Sequence, residues 1–164
     1  MRARAWARAA AVLVVVVIVD QVTKALVRGG IAVGEEDSVL PAISLVHVHN
    51  SGVAFGAFAG GGLIVVALVT AALAALLFYF VTHVDKPLIW LPTGLLLGGS
   101  VGNIIDRIRD GWVTDFVKLP AWPAFNVADM AITFGVLALL WVIEQDSDER
   151  RAEVDEADAG RPRP

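Results

Sequence analysis

The sequence predicts an all-α membrane protein with four transmembrane helices and a small extracytoplasmic β element between helices 1 and 2. Three observations lead there. Of the 164 residues 57% are hydrophobic, and the mean hydropathy of +0.68 exceeds what a soluble domain carries without precipitating. Four segments, near residues 9–27, 62–81, 88–106 and 127–143, approach the roughly 20 apolar residues that a spanning helix needs. Between the first two, turn formers ("GG", "GEEDS", "AGGG") surround "AISLVHVHN", whose period-two pattern reads as one or two short strands at the membrane surface, within about 29–61.

Taken in order, the start "MRARAWARAAAVLVVVVIV" has the basic-then-apolar outline of a secretory signal. No small-residue cleavage site follows. The run continues instead into "DQVTKALV", where Asp20 and Lys24 stand four apart on one helix face and can pair inside a bundle, so an uncleaved first span is expected. The second span, "LIVVALVTAALAALLFYFV", is uniformly apolar, while the third and fourth carry amide and ionisable residues. The connection "RDGWVTDFVKLPAWPAF" holds two prolines and two tryptophans, the ring type that favours the headgroup level, and reads as an interfacial loop. Residues 1–145 form the membrane domain; 146–164 mix acids and arginines, end in "GRPRP" and read as a disordered cytoplasmic tail.

Basic residues orient the chain. Arg2, Arg4, Arg8, Lys86, Arg150, Arg151, Arg161 and Arg163 fall on one side, against Arg28, Arg107, Arg109 and Lys118 on the other. Both termini are therefore expected in the cytoplasm. The net charge of -4 offers no basic face for nucleic acid, and with no cysteine there is neither a disulfide nor a thiolate nucleophile.

Because chain direction alternates, Asp20, Lys24, Asn50, Asn103, Asp106, Asn126 and Asp129 all fall towards the outer leaflet. Intramembrane ionisable residues mark function more often than interhelical glue. Other chemistries fit less well. "GGSVG" at 98–102 matches a nucleophile-elbow string around Ser100, but it lies inside a span, where small residues let helices approach. His47 and His49 alternate onto one strand face, yet two ligands make a weak metal site, and they read as exposed loop residues; His83 lies on the cytoplasmic side. No H-E-x-x-H string occurs, and no metal or other cofactor is expected. Paired carboxylates remain: of two aspartates in one partly dry site, one holds a proton while the other activates water. Asp106 and Asp115 could each face Asp129, although Arg107 beside Asp106 favours a fixed, ionised role there. A proton-coupled transporter or channel subunit would use the same acids, but should carry polar residues through to the inner leaflet, and a purely structural scaffold leaves the aspartate pattern unexplained.

The blocks "DQVTK" (20–24), "NSGVAFG" (50–56), "GGSVGNIIDR" (98–107) with "VTDF" (113–116), and "FNVAD" (125–129) resemble, in order and placement, those of the lipoprotein signal peptidases (prolipoprotein signal peptidase, signal peptidase II). The resemblance implies an aspartic endopeptidase of the bacterial inner membrane that cuts diacylglyceryl-modified prolipoproteins just before the lipidated cysteine. It implies sensitivity to globomycin, contact with membrane lipid, a monomer, and Asp115 with Asp129 as the catalytic pair. Asn50, Gly52, Asn103, Asp106, Arg107 and Asn126 would support the site or bind substrate, and Asp20 with Lys24 would tie the first span to its neighbours.

Overall fold

The computed structural model describes residues 2–51 and 62–159. Four helices, α1 (Arg2–Gly30), α2 (Gly62–Thr82), α3 (Trp90–Asp110) and α4 (Val127–Ala159), are joined by three strands, β1 (Glu36–Leu40), β2 (Ile43–Asn50) and β3 (Val113–Lys118). Among the described residues, α1 and the first part of α4, Val127–Gln145, are long and apolar enough to cross a membrane.

The polarity of α1 is inverted relative to a soluble helix. Val14, Val15, Ile18, Val19, Val22 and Leu26 are exposed, whereas Asp20 and Lys24 are completely buried. Small residues on α3 permit that burial. Gly94 and Gly98 lie where a Cβ would strike Val12 and Val16 of α1, and a Cβ on Gly102 would come within 2.6 Å of Asp20 Oδ2. On the opposite side, Gly99 lies against the Ala128 carbonyl of α4. The "GGSVG" string is thus a packing surface that seats α3 between α1 and α4, as its small residues suggested. Gly102→Ala is expected to lower thermal stability by about 1–3 kcal/mol through overpacking against Asp20, read as the detergent-solubilised unfolding midpoint.

At the opposite end from the strands, Phe80, Val84, Ile89, Ala9 and Val142 form an apolar cluster. Trp6 packs edge-on against Phe80 at 4.7 Å, and Arg2 joins Asp85 at 2.7 Å.

The strands form one antiparallel sheet in the order β1-β2-β3. β1 and β2 make a hairpin closed by Pro41 and Ala42, the latter in the left-handed region at φ 67°. The sheet does not stop at the first outer connection. β3 comes from the stretch expected to be an interfacial loop, and its Asp115 pairs with Val48 of β2. Gly111, at φ 83°, ends α3 by donating its N–H to the Arg107 carbonyl, which turns the chain directly into β3. At the end of β3, Val117 and Phe125 exchange backbone hydrogen bonds of 2.8 and 2.9 Å, closing off residues 119–124 as a separate excursion.

Two further expectations are corrected. α4 runs on to Ala159, through most of the stretch read as a disordered tail. No glycine or proline interrupts 136–159, so nothing halts a helix already nucleated by the apolar segment before it. His47 is buried rather than exposed, its Nδ1–H donating to the Ile31 carbonyl at 2.8 Å. His49 is exposed as expected, and stacks on Trp112.

Candidate active site

The residues singled out from the sequence meet where β2 and β3 converge with the ends of α1, α3 and α4 nearest the sheet. Gly52 lies outside the described residues. The arrangement is built from the first turn of α4 outwards. Asn126 caps that helix: its Oδ1 accepts the Asp129 N–H at 2.9 Å, while Asp129 Oδ2 accepts the Asn126 N–H at 3.2 Å. This reciprocal capping box fixes the Asp129 side chain by the same bonds that start the helix.

Asn126 also reaches β3, its Nδ2 donating to Asp115 Oδ1 at 2.7 Å. The other oxygen of Asp115 accepts from Asn50 Nδ2, at the end of β2, at 2.8 Å. Asp129 Oδ1 receives the Asn103 Nδ2 at 2.8 Å. Asp115 and Asp129 are therefore held by one asparagine between them, with Asn50 and Asn103 on either side. Asp115 is nearly buried at 2% exposure, and Asp129 is half-buried. Burial pushes the Asp115 carboxyl up to about 6; the Asn50 hydrogen bond opposes this and the nearby Asp129 charge adds to it.

Beneath lies a buried ionic cluster. Lys24 contacts Asp20 at 2.9 Å and Asp106 at 3.0 Å, and donates to Asn103 Oδ1 at 2.9 Å. Asp20 Oδ1 accepts the Ala128 N–H of α4, and Asp106 Oδ2 the Thr114 N–H of β3. Asp106 thus anchors β3 and lies in the ionic cluster, while Asp115 shares the amide scaffold with Asp129. The cations beside Asp106 are Lys24, Arg109 at 3.3 Å and Arg28 at 3.8 Å, not the adjacent Arg107, which turns away to the Asn103 carbonyl at 3.3 Å.

Three members were not anticipated. Gln21 donates to Asp20, Asp106 and the Gly102 carbonyl, Arg28 donates to Thr114, and Arg109 pairs with both Asp106 and Asp110. Gln21 sits inside the quoted "DQVTK" block, and a polar residue beside the Asp–Lys pair was the available signal. Arg109 holds the half-buried Asp110 carboxyl below its usual range.

From Asn103 and Arg107, a cavity of about 740 Å³ runs between α2, α3 and α4, walled by side chains such as Leu73, Leu76, Leu96, Ile132 and Val136. Its polar end adjoins Asp129 through Asn103. An apolar chain or helix can lie there with its end beside the carboxylates.

The fold and site define a helical membrane protein with two aspartates presented on a scaffold of asparagines. A family model described as signal peptidase (SPase) II matches residues 12–144. The chain belongs to the signal peptidase II family and is a protease. It is 40% identical to a lipoprotein signal peptidase of Moorella thermoacetica, covering 84% of this chain and 93% of that one. It is 44% identical to a counterpart from Symbiobacterium thermophilum, covering 75% and 85%. A solved structure described as a bacterial membrane enzyme at 1.9 Å resolution superposes with a TM-score of 0.76 at 29% identity, covering 82% of this chain and 91% of that one. A second, at 2.3 Å, gives 0.77 at 28% identity over 86% and 90%.

Proposed function

We propose that this protein is a four-span aspartic endopeptidase of the bacterial inner membrane that removes signal peptides from diacylglyceryl-modified prolipoproteins. Both termini face the cytoplasm and the site lies near the outer face. The observation that carries the reading is the Asp115–Asn126–Asp129 arrangement, in which two carboxylates from separate elements are held by one asparagine, Asp115 by its side-chain amide and Asp129 by its backbone N–H. A lipidated cysteine holds its scissile bond near the bilayer surface, so a dyad at that depth meets it without drawing acyl chains from lipid. The apolar cavity supports the same reading: among the described residues that line it, the ionisable ones are Arg107 and Tyr79, and the rest of the wall is apolar apart from Ser100 and Asn103.

In the cleavage step Asp115 holds the shared proton and Asp129 is the anion. Asp129 takes a proton from water as the oxygen attacks the scissile carbonyl, and Asp115 gives its proton to the carbonyl oxygen, forming a gem-diol. Asp115 then recovers a proton from one hydroxyl while Asp129 protonates the leaving nitrogen. The C–N bond breaks to give a carboxylic acid and the free amine of the lipidated cysteine.

Purified protein incubated with a diacylglyceryl prolipoprotein should release the shorter product, retain activity in EDTA and lose it to globomycin. Activity lost in EDTA and restored by zinc would refute the carboxylate mechanism. The raised Asp115 carboxyl also sets a pH dependence. Below about 6 its proton is retained, and above about 6 it is lost, so kcat/KM of the free enzyme should decline as pH rises through that value. For stability the sign follows from a folded-state value above the unfolded one: ionising Asp115 disfavours the folded state as pH rises from about 4 to about 6. Asp115→Asn should remove this penalty, and unfolding midpoints of both proteins at pH 4 and pH 8 check it.

A further inference from the structure

We propose that Lys24 is a positioning residue for the catalytic pair, fixing which end of the Asn103 amide faces Asp129. An asparagine side chain can present its oxygen or its NH2 in either of two nearly isosteric orientations, and only hydrogen-bond partners choose between them. At Asn103 the choice is made by an ammonium. Lys24 is completely buried, and its three N–H bonds are spent on Asp20 at 2.9 Å, Asp106 at 3.0 Å and Asn103 Oδ1 at 2.9 Å.

Turning the amide round would set NH2 against ammonium and strand a charged donor in a dry site. With its oxygen committed to Lys24, Asn103 directs Nδ2 at Asp129 Oδ1, 2.8 Å away. The same oxygen accepts Asn126 Nδ2 at 3.2 Å, the nitrogen that also serves Asp115. One cation therefore orders two of the three asparagine amides that hold the two carboxylates, Asn50 being the third. Nothing in this chain of bonds requires Lys24 to touch substrate.

The inference rests on the dyad proposed above, and deepens it. Replacing Lys24 alone would leave Asp20 without its cation, whereas Asp106 keeps Arg109, so the test pairs it with neutralisation of Asp20. Asp20→Asn/Lys24→Met and Asp20→Asn/Lys24→Gln are purified beside the Asp20→Asn parent, and kcat and KM are measured on matched amounts of folded protein. Lys24→Met should lower kcat by roughly 10–100-fold relative to that parent, with KM within about twofold, the loss expected when a catalytic group is misplaced rather than removed. Lys24→Gln, which keeps a donor at that position, should recover part of the loss.

Adding Asn103→Leu to both the parent and the Lys24→Met protein closes a double-mutant cycle, and the two losses should not add, because Lys24 acts through that amide. Parental kcat in a folded Lys24→Met protein, or additive losses, would overturn the proposal. So would failure of both double variants to accumulate, which would assign Lys24 to the fold. Asp129→Asn in parallel separates the two ideas. Turnover surviving there removes the dyad and this proposal with it; an inert Asp129→Asn beside full turnover in the Lys24 variants removes only the proposal.

Discussion

Asp129→Asn and Asp115→Asn are each expected to leave a folded protein whose single-turnover cleavage falls by roughly 10³-fold or more, the scale of a lost acid or base in a two-group mechanism. The fold should survive because each carboxylate oxygen accepts a single hydrogen bond, and an amide oxygen can keep one of the two. Asn126 still caps α4 through its own Oδ1 on the Asp129 N–H. At Asp115 the substitution also removes a carboxylate that burial disfavours, so its unfolding midpoint near pH 8 should hold or rise. A folded Asp115→Asn protein with full turnover would break the assignment.

Asp106→Asn should behave oppositely, with its main loss in stability. Asp106 is completely buried, pairs with Lys24 and accepts the Thr114 N–H that fastens β3 to the bundle. Neutralising it leaves Lys24 with Asp20 alone and sets an NH2 group against donors. The expected cost is about 3 kcal/mol, the scale for breaking a buried pair. Heat resistance and abundance should therefore drop well before turnover per folded molecule. Unfolding midpoints and single-turnover rates on the same preparations distinguish the cases; a stable, inert Asp106→Asn would place Asp106 in the reaction.

Much of this site is visible in the one-dimensional pattern, because a bilayer makes each polar residue in a span conspicuous. Asp20, Lys24, Asn103, Asp106, Asn126 and Asp129 stand out against Val, Leu and Ala, and the structure brings all six together. Asn126 as a helix cap was also legible, since an asparagine three residues before an aspartate at the start of an apolar run is a local signal. β3 was not. Strand reading depends on alternation, but Val113, Thr114, Asp115 and Phe116 are all buried, so both faces are covered and no period-two contrast remains. Missing that strand left Asp115 in what read as an interfacial loop. The cation beside Asp106 was misassigned for a related reason. Adjacency along a helix points side chains about 100° apart, and Arg109, one turn on, shares the face that Arg107 does not.

The hydrogen bonds between Val117 and Phe125 divide the connection between the two aspartates into a clamped base and a free tip. Because this base, with the Asn126–Asp115 and Thr114–Asp106 bonds, holds β3 against α3 and α4, the tip at 119–124 can change without moving either carboxylate. The connection can thus vary at its tip while the bonds at its base keep the two carboxylates where they are.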